Sequence, residues 1–362
     1  MSDALFVGIA VRCWLFFNKD LGPDVPEAHE VLRFQEAAKA LDIELLVLKP
    51  SEFDLVVDSK HSWSAIYQGR ELYKPDLIIP RCGSETSYFT LAVLRHFERQ
   101  GVAIANSPAA VESVADKLHT LQVLAGAKLP IPKTILGKFP ADVDLVEREL
   151  GFPVVVKKLR GTRGAGVVLC NSRGDFDDLA ALLDGATAAS DFLFQQYVKA
   201  SHGRDVRVLV IDGRVVAAME RQSTDGGFKS NISLGGSGKP FTPPPQMAEL
   251  AVQVARELKL DIAGIDILFD KDGYRICEAN SAPGFQGLEK ACGIDVPELV
   301  FLAMGRKFGL PVRHSERWEK AIDRAAREMF SSLKAPDVGE LLEDLPQPLM
   351  TAPVRARRRK KL

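Results

Sequence analysis

The sequence predicts a small parallel-sheet α/β domain joined to a larger antiparallel α+β body. Two observations carry this reading. The first hundred residues alternate short, nearly continuous apolar runs with helical periodicities, the βαβ rhythm of a parallel sheet. From about Phe192 onward, strand-length runs follow one another through tight turns, at Asp212-Gly213 and Lys271-Asp272-Gly273, which is hairpin chemistry.

In order, residues 5–11 form the first apolar run and are expected to be the first strand. Pro26 and Glu27 open a helix in which Val31, Leu32, Phe34, Ala37, Ala38 and Leu41 recur at helical spacing. Residues 43–48 and 77–80 read as further strands. Leu91, Leu94 and Phe97 mark a helix that Gly101 stops before a strand at 102–105. No GxGxxG follows the first strand, so a dinucleotide fingerprint is absent. Helices are expected around 109–115, 117–125 and 142–150, with strands at 132–136, 153–158 and 167–170 and Asp175 capping one more helix. Strands at 192–197, 205–211 and 215–221, a helix at 246–258 and a hairpin of 262–269 with 274–279 follow. An accessory amphipathic helix is expected at 317–333, with Trp318, Ile322, Ala325, Met329 and Phe330 on one face. The expected domains are 1–107 (parallel sheet), 108–191, 192–310, and an extension at 311–362 that ends in a flexible tail.

Composition bounds the function classes. A chain of 362 residues at 46% hydrophobic, with net charge −1, is neither disordered nor a nucleic-acid-binding protein as a whole. At about 150 residues each, two or three domains are expected. No apolar run suits a membrane span, and Met1-Ser2-Asp3 lacks the basic start of a secretory signal. Cys13, Cys82, Cys170, Cys277 and Cys292 are scattered without a CxxC pair, which argues against disulfides or structural zinc and for the cytoplasm. The basic run Arg355, Arg357, Arg358, Arg359, Lys360 and Lys361 contains no acid, so any polyanion contact is expected from this tail.

Two clusters carry chemistry. Glu278 and Asn280 are two apart on one strand and share a face, and the hairpin at 271–273 folds the strand of Asp266 back beside them. Three hard oxygen donors on one face, flanked by Ile262, Ile265, Ile267, Leu268 and Ile276, suit Mg²⁺, with Mn²⁺ able to substitute. Upstream, Lys157 lies on an apolar strand before a loop with Gly161, Thr162, Gly164 and Gly166. A fixed cation beside backbone N–H groups free of Cβ clashes makes a phosphate clamp. The run Gly235-Gly236-Ser237-Gly238-Lys239 resembles a P-loop, but Pro240 and three consecutive prolines at 243–245 exclude the helix such a loop requires.

Taken with PRCGSETSYFTLAVLRHFERQGV, DKLHTLQVLA, PVVVKKLRGTRGAGVVL, QQYVKASHGRDVRVLV, ERQSTDGGFKSNISLGGSG and AGIDILFDKDGYRICEANSAPGFQGLE, these clusters resemble the ATP-grasp superfamily, and within it the RimK-type glutamate ligases. The resemblance covers roughly residues 75–309. It implies an ATP-grasp fold behind a pre-ATP-grasp domain. It also implies ATP and Mg²⁺, an acceptor carboxylate on a protein tail or small molecule, L-glutamate as the added amino acid, and a homo-oligomer. By the same resemblance Lys117 and Lys157 are phosphate lysines, Gln196 and Tyr197 adjoin adenine, and Asp205 faces the ribose. Gln196 stands where the family commonly has Glu. Lys229, Ser230 and Asn231 match an Arg-Ser-Asn nucleotide triplet, and Asp266, Glu278 and Asn280 match the magnesium ligands. Arg207 and Arg221, on adjacent strands, suit clamping of a carboxylate or acyl phosphate. The six histidines are scattered, and no catalytic role is assigned to His202, which alone lies near the cleft. A nucleic-acid- or ribosome-binding module acting through the tail, and a non-catalytic ATP binder, stay open as alternatives.

Overall fold

The computed structural model describes residues 11–22, 25, 27–59, 64–159, 166–183, 191–230 and 236–331. The first strand among the described residues is β1 (Arg12–Phe16), and the run expected at 5–11 lies, but for Val11, outside them. Arg12 opens this strand, its N–H donates to Asp76 at 2.8 Å, and the four residues after it are buried. Helix α1 (Ala28–Ala40), β2 (Glu44–Leu48), β3 (Phe53–Val56), β4 (Ser64–Tyr67), β5 (Arg70–Glu71), β6 (Leu77–Pro80), α2 (Tyr88–Arg99) and β7 (Ala103–Ile104) follow. Strands β2-β1-β6-β7 make the expected parallel sheet. The antiparallel sheet β3-β4-β5 is an addition to the expected set. Its strands are short and largely exposed, so they carry little apolar alternation.

The next unit holds α3 (Pro108–Ala115), α4 (Lys117–Gly126), β8 (Thr134–Gly137), α5 (Val143–Leu150), β9 (Val154–Lys158), β10 (Val167–Cys170), α6 (Arg173–Leu183) and β11 (Phe192–Gln196). Its sheet is antiparallel in the order β10-β9-β11-β8. Helices start where a short polar side chain satisfies a free N–H: Ser107, Asp116 and Asp142 do so for α3, α4 and α5. At α6 the cap is Ser172, whose Oγ accepts from the Asp175 N–H. Asp175, expected as the cap, instead accepts from the Asn171 N–H and from the Ser172 hydroxyl.

The body of the protein is the sheet β14-β13-β12-β15-β16, made of β12 (Arg204–Ile211), β13 (Arg214–Gln222), β14 (Ser237–Pro240), β15 (Ile262–Asp270) and β16 (Gly273–Asn280). Helix α7 (Pro245–Glu257) interrupts these strands, and α8 (Gln286–Cys292), α9 (Val296–Phe308) and α10 (Trp318–Ser331) follow them. Asp212 and Gly213 turn with φ of 48° and 72°, as a two-residue hairpin requires. The P-loop lookalike runs into β14, which pairs with β13, so it forms no phosphate loop.

One face of this sheet, with Val206, Val208, Val210, Ile265, Ile267 and Ile276, is apolar throughout and packs against α7 and α4. The other face changes character along its length. At one end Leu209, Ile211, Ala217 and Met219 join Phe34, Phe285 and Phe301 in a core continuous with the parallel sheet. At the other end it is charged, and the site lies there. Helix α10 belongs to that same core: Trp318 is fully buried, with Ala321, Ile322 and Ala325 beside it. Over residues 318–325 the apolar side of the expected accessory helix thus packs into the core. The basic run at 355–361 lies outside the described residues. Among the described residues no helix is long and apolar enough to cross a membrane, and all five cysteines are free.

Candidate active site

Strand alternation puts Asp205 and Arg207 on the charged face of β12, Arg221 on β13, Asp266 on β15, and Glu278 and Asn280 on β16. The register sets Asp205 opposite Arg221, Arg207 opposite Asp266, Asp266 opposite Glu278, and Gly264 opposite Asn280. An irregularity after Asp266 leaves Cys277 without a cross-strand partner. That bulge keeps Ile276 in the apolar core while turning Glu278 to the charged face.

The charges along this row interlock. Arg207 grips Asp266 through both carboxylate oxygens, Nε and Nη2 each donating at 2.8 Å. Arg221 Nη2 reaches the same carboxylate at 2.9 Å, while its Nε donates to Asp205 Oδ1 at 2.8 Å and its Nη2 also meets Asp205 Oδ2. Asp205, Arg221 and Asp266 are all buried. Burial pushes the Asp266 carboxyl up, but the charges of Arg207 and Arg221 outweigh it and hold the pKa at about 2. Burial likewise works against the Arg221 charge, and Asp266 and Asp205 override it, raising its pKa.

Two lysines approach from other elements. Lys117, the first residue of α4, places Nζ 3.2 Å from Glu278 Oε1. Lys157, on β9, donates to Gln195 Oε1 at 2.7 Å and lies 3.8 Å from Cys277 Sγ, so it spans the gap between the two antiparallel sheets. Gln195 is in turn fixed by donating to Thr134 Oγ1 at 2.9 Å. Burial pushes the Cys277 thiol up, with Lys157 pulling the other way.

The donor chemistry fits a hard divalent cation. Glu278 is partly exposed, and Asn280 donates its amide to Gly264 O at 3.3 Å, which leaves its carbonyl oxygen as an acceptor. Asp266 spends three of its roughly four acceptor positions on arginine N–H groups, which leaves one.

Comparison with known proteins places this geometry. A RimK-like ATP-grasp domain matches residues 114–302, and a RimK PreATP-grasp domain matches residues 24–111. The chain belongs to the RimK-like ATP-grasp family. It is 38% identical over 265 residues to a probable alpha-L-glutamate ligase of Thioalkalivibrio sulfidiphilus, covering 73% of this chain and 87% of that one. To a probable alpha-L-glutamate ligase of Marinomonas it is 36% identical over 276 residues, covering 76% and 91%. Among solved structures, the ATP-grasp ligase PsnB complexed with a phosphomimetic variant of its minimal precursor, Mg and ADP aligns with a TM-score of 0.61 at 22% identity, covering 83% and 99%. D-alanine–D-alanine ligase of Bacillus anthracis complexed with ATP aligns at 0.59 and 16% identity, also covering 83% and 99%. The ATP-grasp fold and the ATP-dependent ligase class expected from the sequence are thereby established.

Against the residues expected for a RimK-like ligase, the structure brings together Lys117, Lys157, Asp205, Arg207, Arg221, Asp266, Glu278 and Asn280. Asp205, expected on the ribose side, has each of its oxygens bonded by Arg221. Gln196 is exposed at the end of β11, and the Tyr197 hydroxyl bonds His202 Nδ1, whose Nε2 lies 3.1 Å from Gly226 O. Lys229 stands 5.6 Å from the Phe228 ring centre, and Ser230 is buried. Gly166, at φ 72°, closes the β9–β10 hairpin by accepting from the Lys158 N–H at 3.0 Å. Gly161, Thr162, Gly164 and Asn231 lie outside the described residues. Sequence reasoning passed over Gln195. Strand parity could have found it: Phe192 and Phe194 enter the core, so Leu193 and Gln195 face Lys157.

Proposed function

We propose that this ATP-dependent ligase joins L-glutamate to an acceptor carboxylate through an acyl phosphate. The observation that carries the reading is the row Arg221–Asp205 and Arg207–Asp266–Glu278, faced by Lys117 and Lys157 from separate elements. Glutamate is supported by the names of the relatives; ATP and Mg²⁺ are supported by the ligands of the fold neighbours.

In this reading Glu278 and Asn280, with the remaining lone pair of Asp266, hold Mg²⁺ or Mn²⁺. Bound there, the cation supplies neutralising charge to phosphoryl oxygens. Lys157, oriented by Gln195, and Lys117 add positive charge on the phosphate side. Residues 161–164 are assigned to the phosphates, Gln196 and Tyr197 to adenine, and Lys229, Ser230 and Asn231 to the nucleotide. Arg207 keeps its guanidinium presented at the cleft because Asp266 locks its orientation, and Arg221 sits beneath it. Asp205 is assigned to holding Arg221.

An acceptor carboxylate oxygen attacks the γ-phosphorus, and the bond to the ADP oxygen breaks. The glutamate amine then attacks the acyl carbon and loses a proton, and phosphate leaves as the amide forms. Positioning and charge do this work, so no Ser-His-Asp or Cys-His set is required.

Incubation with Mg-ATP, isotope-labelled L-glutamate and a native cell extract, followed by separation of protein from small molecules, tests the proposal. ATP-dependent label in either fraction supports it and tells a protein acceptor from a metabolite. ADP release that responds to another amino acid, with no glutamate label, removes glutamate.

A further inference from the structure

Three buried polar side chains of the pre-ATP-grasp region reach out of it to residues 281–286, and Asn106 also holds Asp261 and Ile262 at the start of β15. Asn106 Nδ2 donates to Ser281 O at 2.7 Å and to Ile262 O at 2.8 Å, and its Oδ1 accepts from Ile262 N at 2.9 Å. Arg81, at the carboxyl end of β6, donates through Nη2 to Pro283 O at 2.9 Å. Glu30, on α1, accepts from the N–H groups of Phe285 and Gln286 at 2.9 and 3.2 Å and so caps α8. The gripped stretch begins one residue after Asn280 and folds back over β15. Pro283 packs so closely on Gly264, opposite Asn280, that a Cβ there would lie 2.5 Å from the proline Cβ.

We propose that Glu30, Arg81 and Asn106 are positioning residues. From the pre-ATP-grasp side they hold residues 281–286 and thereby set Asn280 and Glu278 for a divalent cation. The proposal rests on the reading of those two residues as ligands.

Energetics separates this role from plain packing. Arg81 is 7% exposed, its guanidinium carbon lies 5.4 Å from the Phe285 ring centre and 5.9 Å from that of Phe34, and its Nε has no hydrogen-bond partner. Burial accordingly pulls its pKa down, with the charge of Glu30 opposing. The two rings attract the guanidinium, but its unsatisfied N–H sets a desolvation cost against that gain, and a hydrocarbon of similar volume would keep most of the packing. What a hydrocarbon cannot supply is the bond to Pro283 O.

The test is Mn²⁺ affinity, read by electron paramagnetic resonance in the presence of a non-hydrolysable ATP analogue, beside thermal melting. Arg81→Met is expected to weaken Mn²⁺ binding roughly tenfold or more, the scale of groups that orient metal ligands. Its melting temperature is expected to fall modestly, since the packing on Phe34 and Phe285 is kept, and Arg81→Lys should recover part of the affinity. In an Asn280→Ala background, Arg81→Met should cost clearly less than it does in wild type, because only the positioning of Glu278 is left to lose. Glu30→Ala, which frees the same segment, should weaken Mn²⁺ in the same way and serves if Arg81→Met does not fold. Unchanged Mn²⁺ affinity in both variants, or losses that add in full to that of Asn280→Ala, would overturn the positioning role. Failure of the wild-type protein itself to bind Mn²⁺ with the analogue would overturn the underlying site.

Discussion

Arg221 Nη2 lies 2.9 Å from an Asp266 oxygen that Arg207 also holds, so one buried carboxylate is shared by two guanidinium groups from neighbouring strands. The pair ties β13 to β15 across β12 and fixes the cationic floor of the cleft. Removing Arg221 strands Asp205 and takes away one of the three arginine contacts of Asp266. Arg221→Ala should therefore lower unfolding stability by about 3–5 kcal/mol in urea titrations, with Arg221→Lys intermediate. Equal stability of all three proteins would show that the fork contributes nothing.

The same carboxylate predicts an acid-sensitive window. With its pKa held at about 2, Asp266 is depressed below the ordinary carboxylate value of about 3.9. Its contribution is fully present above about pH 4 and is lost as pH falls toward about 2. Urea unfolding at successive pH values should show a steeper loss across that window in wild type than in Asp266→Asn. Parallel curves would contradict the pairing.

Gly264 is required by contact rather than by backbone angle. An alanine Cβ there would meet the Pro283 Cβ at 2.5 Å, so the segment after Asn280 must shift. Gly264→Ala should cost about 1–3 kcal/mol of stability, as overpacking does, and should also reduce turnover. A variant with wild-type activity would show that this segment is not coupled to the site.

Trp318 tests where the fold ends. It is fully buried in the core shared with α9 and β1, and Trp318→Ala should cost about 3–5 kcal/mol. Loss of less than 1 kcal/mol would restore the view of α10 as an appendage.

Much of this was legible in the sequence, for identifiable reasons. The hairpin at 271–273 and the two-residue spacing of Glu278 and Asn280 placed three oxygen donors on one face, because strand parity and turn chemistry are local. The Cys277 bulge was hidden, since register depends on the partner strand, yet it is what sets Glu278 opposite Asp266. The ion pairs of Arg207 and Arg221 were hidden as well. Adjacency of their strands was inferred, but which carboxylate each arginine takes depends on the full cross-strand row. The resemblance alone gave Asp205 its expected ribose contact, and its bonds to Arg221 were not legible in the sequence. The roles of Glu30, Arg81 and Asn106 emerge only from contacts between residues up to 256 positions apart, which no local pattern encodes.

In the proposed reaction acyl transfer is driven by γ-phosphoryl transfer, and the nucleotide product reports this directly. Wild-type protein and Glu278→Ala would be compared with ATP, Mg²⁺, labelled L-glutamate and the acceptor fraction that takes up label. Wild type should form ADP and phosphate in step with amide-bound label, while Glu278→Ala should form neither. AMP and pyrophosphate as products, or full turnover by Glu278→Ala, would contradict the account.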